Sequence, residues 1–449
     1  METPFPIEKT LGIELYSTSW SGLGGSIKNR YADFIVEEIT PSGKILEVLN
    51  DPNTLPPINE QVPRNPEDST KHIHFTVQKM GLTTFDVASI LASSLGIPRY
   101  LVTHAGLKDK RAITSQRMCI PGSQFEKLGA LELYDIWLRD PEYSRAQLHI
   151  GDLWGNRFKI VLREMDSPCE ERLNEINSLR ATSLLNYYGV QRFGVVRPFT
   201  HLVGKALLKN DFEEAISFML STTSDYESEE ITALREEIAS GNLDESLLEE
   251  LPSDFRYERK VIEYLMNHPG EYEKAFFRIP SRMQAFFVHA YQSFIFNRLI
   301  SLRAKRGLSI ETPQIGDFIV KQDMTHSGRD QWLYVNERSL DERRKLVKTG
   351  EYGLAAHIPG YSTKLPPGKP SKLLRVVLKK EGIRLIDFRN PERKQLDSAG
   401  GLRLVSIKVP NLKVECRDES LDLSFSIIKG SYATIIMREI MKNNPINRV

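Results

Sequence analysis

The sequence predicts an α+β fold, because strand patterns at both ends of the chain flank a middle that is rich in helices. Two stretches carry this prediction. Residues 72–80 (HIHFTVQKM) alternate apolar and polar side chains, which is typical of a strand. Residues 281–307 place large apolar side chains at helical spacing and end at a glycine, which is typical of a long helix. The length of 449 residues fits about two or three domains.

The first part of the chain mixes strands and helices. Residues 26–40 predict a strand with which residues 44–49 would pair, and residues 50–70, rich in proline, predict a long loop. Thr84 is expected to cap a short helix that Gly96 ends. The remaining predicted elements are strands near residues 101–104, 115–120 and 157–163 and a helix over residues 168–189.

Helices dominate the middle of the chain. Residues 211–254 are rich in acids and predict helices with a solvated face. Residues 364–394 carry more Lys and Arg than acids, so this basic strip is either an RNA-facing surface or a solvated face, and the sequence leaves both open. The tail predicts a strand over residues 421–430 and a helix over residues 431–443.

Composition and missing motifs exclude several classes of protein. The net charge of +1 gives no global sign of a nucleic-acid partner, so such a partner would need a local patch. The sequence has no long apolar run and no signal-peptide pattern, and we expect a soluble cytoplasmic protein without a membrane span. Cys119, Cys169 and Cys416 are widely spaced, which favours reduced thiols. The sequence contains no P-loop, HExxH or GxSxG motif, and we expect neither a metal ion nor a cofactor.

One short stretch combines an acid with several bases. Within HAGLKDKRAITSQ (104–116), Asp109 is the single acid and lies among Lys108, Lys110 and Arg111. A surface loop can hold such charges without a function. An active site needs them when an ionised acid and a polyanionic substrate must meet in one place.

Three further stretches each join a glycine to an aromatic ring or a polar amide. They are GNRFKI (155–160), NYYGVQRFG (186–194) and KGSYATIIMRE (429–439). Aromatic rings stack on a nucleobase, amides read its edge, and glycines allow the backbone to come close. Each stretch taken alone also suits a turn or a helix end. Together they indicate a pocket for a flat polar ring.

These stretches, with IKNRYADFIVEEI (27–39), resemble the TruD family of tRNA pseudouridine synthases. The element AGLKDKRAITSQ (105–116) is similar to the family signature around its catalytic aspartate. The motifs occur in the family's order over nearly the whole chain, and residues 210–280 match least. The length and the acidic segment are more similar to archaeal or eukaryotic members than to bacterial ones.

The resemblance implies an architecture and a partner. Residues 1–185 and 404–449 would form the pseudouridine-synthase catalytic fold, a mixed sheet with flanking helices. Residues 186–403 would form an inserted α/β TRUD domain, and RNA would lie in the cleft between the two parts. We expect tRNA as the partner, no protein partner, and a monomer.

The resemblance also implies a reaction, in which Asp109 acts as nucleophile or base on a uridine, typically uridine 13 of tRNA. The C1′–N1 bond breaks and the uracil rejoins through C5, without a cofactor. The resemblance suggests Lys28 as one basic residue near Asp109, where a cation at contact distance favours an ionised carboxylate, and it leaves open which base pairs with Asp109. Phe158 would stack on the flipped uracil, and Asn156 would hold the Asp109 loop or read the base edge. The further pocket residues would be Gln191, Arg192, Phe193, Ser431 and Tyr432, and those at the RNA backbone Lys108, Lys110 and Arg111.

Two other functions remain open at this point. The first is a non-catalytic RNA-binding protein on the same scaffold. The second is a hydrolytic N-glycosidase, which would need a second carboxylate beside Asp109. Asp152 and Glu37 are the candidates for that carboxylate, although neither lies in a convincing acid/base pattern.

Overall fold

The computed structural model describes residues 1–64, 71–322 and 332–448, and the predicted loop over 50–70 therefore lies partly outside the described residues. The strands are β1 (Gly24–Ser26), β2 (Phe34–Ile39), β3 (His72–Met80), β4 (Thr103–His104), β5 (Ile113–Pro121), β6 (Ile136–Ser144), β7 (Gly155–Met165), β8 (Leu184–Leu185), β9 (Phe318–Lys321), β10 (Trp332–Tyr334), β11 (Tyr352–Ile358), β12 (Gly401–Leu404), β13 (Ser406–Ile407), β14 (Lys413–Arg417) and β15 (Ser420–Ile428). The α-helices are α1 (Pro6–Thr10), α2 (Thr84–Leu95), α3 (Phe125–Leu128), α4 (Leu173–Ser178), α5 (Thr200–Leu208), α6 (Phe212–Ser221), α7 (Glu229–Ala239), α8 (Glu245–Glu250), α9 (Arg256–Asn267), α10 (Tyr272–Phe276), α11 (Ser281–Lys305), α12 (Leu340–Lys348), α13 (Lys369–Glu381) and α14 (Ala433–Met441).

A mixed sheet joins the first part of the chain to its tail, which confirms the predicted α+β class. Its strand order is β14-β15-β7-β2-β5-β3-β6, with β1 added to β7 and β4 added to β5. The β2–β5 pair is parallel, and β7 is antiparallel to both β2 and β15. The tail strand β15 pairs with β7 along its whole length, from Ser420 opposite Arg163 to Ile428 opposite Gly155.

Alternation of side chains gives the sheet its core. On β3, Ile73, Phe75 and Val77 are fully buried, as their spacing predicts, and they pack with the apolar side of α2. At the other end of the sheet, side chains of β7 and β15 pack against α14. Strand β3 spans His72–Met80, which are the bounds that the sequence predicts.

The middle of the chain forms a second body, in which helices surround α11 and a four-stranded sheet has the order β10-β9-β11-β12. The acidic segment forms α6, α7 and α8, as its composition predicts. The basic strip contains α13, which buries Leu374 and Val377 and exposes Lys372, Arg375 and Lys379. The first residues of the chain join this body, because the Asn297 side chain of α11 donates to the Leu11 carbonyl.

The two bodies are connected by a short antiparallel pair, β8 with β13. In it Leu185 lies opposite Ser406 and Leu184 opposite Ile407. This connection coincides with the predicted ends of the inserted domain at residues 186 and 403. The domain limits themselves remain a prediction.

The predicted helix over residues 168–189 is wrong. The structure has a 3-10 turn at Cys169–Arg172, then α4, and then β8. Leu184 and Leu185 are both buried, each in a different core, and this requires an extended backbone that exposes neither side chain. Helix propensity is a weak preference that such tertiary packing overrides.

Two smaller predictions also need correction. Thr83, not Thr84, caps α2: its side chain accepts from the Asp86 N–H, and Asp86 accepts from the Thr83 N–H. Thr84 is the first helical residue. Residues 44–49 form no strand, although Lys44 and Leu46 make backbone hydrogen bonds to the end of β2.

Cys169 and Cys416 are paired as a disulfide, with their Cα atoms 5.9 Å apart, so the expectation of three reduced thiols is wrong for this pair. The pair lies at the β14 edge of the large sheet. Cys119 is a free thiol and is buried, and burial raises its pKa. In the described part of the chain, no helix has both the length and the apolar character needed to cross a bilayer.

Candidate active site

Asp109 lies in the loop between β4 and β5, and its carboxylate faces the ammonium group of Lys28. Lys28 Nζ donates to Asp109 Oδ1 over 3.0 Å. The Lys28 side chain is only 6% exposed, whereas the Asp109 side chain is 39% exposed. The Asp109 carboxylate is thus held by the buried Lys28 ammonium group, and part of the carboxylate remains accessible to solvent. Of the bases that the sequence offers as partners, the structure places Lys28 against Asp109.

Lys28 holds a backbone conformation that side chains rarely adopt. Its φ is +63°, in the left-handed region, which costs of order 1 kcal/mol or more for a residue other than glycine. Its ammonium also lies 4.4 Å from the centre of the Phe34 ring. Such strain persists where the surroundings fix it, often at functional sites. The contacts to Phe34 and Asp109 are what fix Lys28 here.

A second lysine supports the same loop and was not predicted from the sequence. Lys79 Nζ, at the end of β3, donates to the carbonyl oxygens of Asp109 (2.8 Å) and Leu82 (2.6 Å). Burial lowers the pKa of Lys79 to about 8. The available signal was its position two residues after Val77, which places a lysine on the apolar face of β3.

Lys108 turns inward, away from the position predicted for it. Its Nζ donates to Glu38 Oε2 over 2.6 Å, and these side chains are 2% and 1% exposed. Glu38 also accepts from the Arg117 N–H, and the Lys108 N–H donates to Thr84 Oγ1. This buried position does not suit the predicted contact with an RNA backbone, because the ammonium group is already enclosed and paired.

Lys110 and Arg111 are exposed next to Asp109. Their positions suit the predicted contact with phosphates, since both cationic groups are accessible from solvent. The three bases of this loop therefore do not act alike. Lys108 is buried and paired with Glu38, whereas Lys110 and Arg111 are exposed to solvent.

Phe158 and Asn156 lie on one face of β7, the face that also carries Phe34 and Glu38 on β2. Phe158 is 6% exposed and packs between Phe34, at 6.1 Å, and Phe425, at 5.7 Å between ring centres. Since Lys28 lies on the Phe34 ring, an unbroken series of contacts links Asp109 to Phe158. Asn156 Oδ1 is buried and finds no hydrogen-bond partner among the described residues.

The Asp109 loop is connected to the turn after β15 through a third segment. The Gly151 N–H donates to the Ala105 carbonyl, and Lys429 Nζ donates to the Gly151 carbonyl. Beside this connection is a cavity of about 440 Å³, lined by residues of both bodies, among them Asp152, Arg403 and Ser431. The motifs at 104–116, 155–160 and 429–439 therefore meet on one side of the large sheet.

Arg403 also lines this cavity, and it was not predicted as a site residue from the sequence. It donates to the Asn186 carbonyl and side chain and to the Gly430 carbonyl, and it lies 4.0 Å from the Tyr188 ring centre. The Tyr432 ring lies 6.1 Å from Tyr188. Arg403 thus holds the inserted body against the turn that carries Ser431 and Tyr432.

The stretch at 186–194 is only partly in this site. Phe193 is fully buried and stacks edge-on with His201 inside the inserted body, a position that does not suit the predicted contact with a base. Gln191 is exposed and borders a small cavity beside Arg438. Arg192 donates to Ser293 Oγ and lines another cavity of the inserted body.

The two candidates for a second carboxylate have other partners. Glu37 is fully buried, accepts from Arg157 and Lys159, and alternates to the opposite face of β2 from Glu38. Asp152 accepts from the His149 N–H in an exposed turn. Within the described residues, the one cluster of three potential metal ligands is Cys169, Glu170 and Cys416, which lies at the β14 edge and not at Asp109.

A family model described as "tRNA pseudouridine synthase D (TruD)" matches residues 10–440. A protein of Methanosarcina acetivorans named "Probable tRNA pseudouridine synthase D" is 32% identical, and the match covers 99% of each chain. A protein of Methanocaldococcus jannaschii named "Probable tRNA pseudouridine synthase D 1" is 33% identical over 93% of this chain and 96% of that protein.

Solved structures include a relative with the same architecture. A crystal structure described as that of the "Putative tRNA pseudouridine synthase D (TruD)" from Methanosarcina mazei is similar, with a TM-score of 0.77. The two chains are 30% identical, and the likeness covers 100% of each.

Proposed function

The chain belongs to the TruD family of tRNA pseudouridine synthases, and from this premise we propose that Asp109 performs the chemical step on a uridine of tRNA. As a member of this family it is an isomerase whose substrate is tRNA. The resemblance drawn from the sequence motifs is thereby confirmed. The residues that act, and the uridine they act on, are the subject of the proposal.

The observation that carries the proposal is the ion pair between Asp109 and Lys28. A carboxylate acts as a nucleophile or as a base through its oxygens, and the Lys28 ammonium group, 3.0 Å from Asp109 Oδ1, orients the Asp109 carboxylate. The open side of Asp109 leaves room for a ribose or a base. In either role the carboxylate returns to its starting state, because the isomerisation consumes no other reactant.

The surrounding residues position the Asp109 loop. Lys79 holds the Asp109 carbonyl, and the buried pair of Lys108 and Glu38 fixes the residue before it. A loop held at both its backbone and its side chain keeps the carboxylate in one place when the substrate arrives. Lys28 is a positioning residue in this arrangement.

We propose that the RNA backbone is held by Lys110 and Arg111, and that Asn156, Ser431 and Tyr432 border the uridine. Lys110 and Arg111 are exposed beside Asp109, and Ser431 lines the cavity between the two bodies. The unpaired Oδ1 of Asn156 is suited to accept from a uracil N–H. Uridine 13 as the target, a cofactor-free reaction, a monomeric state and a cytoplasmic location are further parts of the proposal.

Incubation of purified protein with unmodified tRNA transcripts is expected to yield pseudouridine at position 13. Chemical mapping of pseudouridine identifies the position, and nucleoside analysis detects any free uracil. Release of free uracil in place of pseudouridine would support a hydrolytic N-glycosidase and contradict the proposal. Pseudouridine at another position would retain the reaction and overturn the choice of uridine.

Replacing Phe158 by Leu is expected to slow the single-turnover reaction about 5- to 100-fold, if its ring stacks on the uracil, because leucine offers no ring. Volume is nearly kept, so the free energy of unfolding should fall by less than about 2 kcal/mol. Phe425→Leu is the matched control, since Phe425 is equally buried in the same stack. Equal rates for the two variants would show that Phe158 serves the core only.

A further inference from the structure

The inserted body contains a second cavity, of about 630 Å³, which lies outside the site around Asp109. Its volume is in the range typical of small-molecule sites. Aromatic rings, cationic side chains and glycines of the turn before β12 share its wall. The wall includes Tyr188, Arg192, Phe318, Trp332, His357 and Lys364.

The aromatic side of the cavity is built on neighbouring strands of the small sheet. Phe318 on β9 lies 5.4 Å from Trp332 on β10 and 4.8 Å from His357 on β11, measured between ring centres. Trp332 is nevertheless 43% exposed. A large ring that is supported from one side and open on the other is a surface on which a flat ligand can stack.

His357 contributes an unused hydrogen-bonding atom. Its Nε2 is buried and has no partner among the described residues. Burial lowers the pKa of His357 to about 4, so the ring is neutral at pH 7. A neutral imidazole has one donor and one acceptor nitrogen, and Nε2 accepts a hydrogen bond when the proton is on Nδ1.

The cavity continues into the cleft beside the catalytic loop. Tyr188, Ile358 and Leu402 line both this cavity and the 440 Å³ cavity that reaches Asp152 and Ser431. The two cavities are therefore neighbours that share a wall, and RNA bound at Ser431 would lie close to the cavity in the inserted body. Arg192 and Lys364 supply positive charge there.

We propose that this cavity binds one unpaired base of the tRNA substrate, stacked on Trp332 and hydrogen-bonded through an amino or ring N–H group to His357 Nε2. The proposal rests on tRNA being the substrate. The inserted body would then select the RNA sequence near the target, and Asp109 would supply the chemistry.

The test combines enzyme variants with tRNAs that each carry one abasic residue, placed in turn at the unpaired positions near the target. With wild-type enzyme, one abasic position is expected to lower kcat/KM about 5- to 100-fold. With Trp332→Leu, intact tRNA should show a similar loss, and that abasic position should cause almost no further loss. His357→Gln should keep most of the wild-type kcat/KM, since glutamine keeps an acceptor oxygen, whereas His357→Leu should lower it. This difference would support the acceptor role of His357.

Tyr134→Leu is the matched control, because Tyr134 is an exposed ring that does not line this cavity. Thermal melting of each variant checks that the fold is kept. Wild-type kcat/KM for Trp332→Leu, or losses that multiply fully with every abasic position, would overturn the inference. Absence of pseudouridine with the wild-type enzyme would instead contradict the proposed function, so the two failures are distinguishable.

Discussion

The Asp109→Asn variant is expected to bind tRNA and to form no detectable pseudouridine. Asparagine keeps the size of the side chain and removes its charge, so Asp109 loses the group that would attack or accept a proton. Because the side chain is partly exposed, the fold should tolerate the change. Pseudouridine mapping under single-turnover conditions measures the effect, and a gel-shift titration measures tRNA binding.

Asp225→Asn is the matched control for this variant, because Asp225 is an exposed acid in the acidic segment. It should react at the wild-type rate. Conversion by Asp109→Asn at the wild-type rate would remove Asp109 from the mechanism. An inactive wild-type enzyme that still binds tRNA would point to the non-catalytic RNA-binding alternative.

Replacing Lys108 by Met is expected to lower the free energy of unfolding by about 3–5 kcal/mol, because it leaves the buried Glu38 carboxylate without its cation. Denaturant unfolding measures the loss. The double variant Glu38→Gln with Lys108→Met should recover part of it, since no buried charge then remains. A loss below about 1 kcal/mol for the single variant would contradict the buried pair.

Lys110→Met is the matched comparison two residues later. Its exposed ammonium group should contribute less than about 0.5 kcal/mol to folding. If it contacts a phosphate, its removal should weaken tRNA binding and reduce the salt dependence of log K by about one. Wild-type salt dependence would remove Lys110 from the RNA contacts.

The sequence predicted the fold class and the strand β3 because alternation and helical spacing report directly which side chains are buried. The strand β8 was missed for the opposite reason. Leu184 and Leu185 are adjacent and both buried, which matches no period of a strand with one buried face. Only the pairing with β13, far along the chain, explains them.

At the site, the family resemblance suggested that Lys28 lies near Asp109, whereas the sequence left open which base pairs with Asp109 and what the other bases do. A lysine in a loop can point inward where an acid elsewhere in the chain pairs with it. Glu38 is that acid for Lys108. Arg403 was missed because its partners, Asn186 and Gly430, come together only when the inserted body closes on the turn after β15. The spacing of residues along the sequence does not show which distant residues come into contact in the fold.

Because β7 pairs with β15, the large sheet cannot be completed on the ribosome until the tail of the chain has been translated. Strand β7 is made before the inserted segment, and β15 is made after it. At about 5–20 residues per second, translation of that segment takes roughly tens of seconds. During this time the edge of β7 that faces away from β2 carries unpaired backbone groups, to which chaperones or other nascent chains can bind. The large sheet is completed only when β15 has been made, and only then can Lys429 bond to the Gly151 carbonyl beside the Asp109 loop.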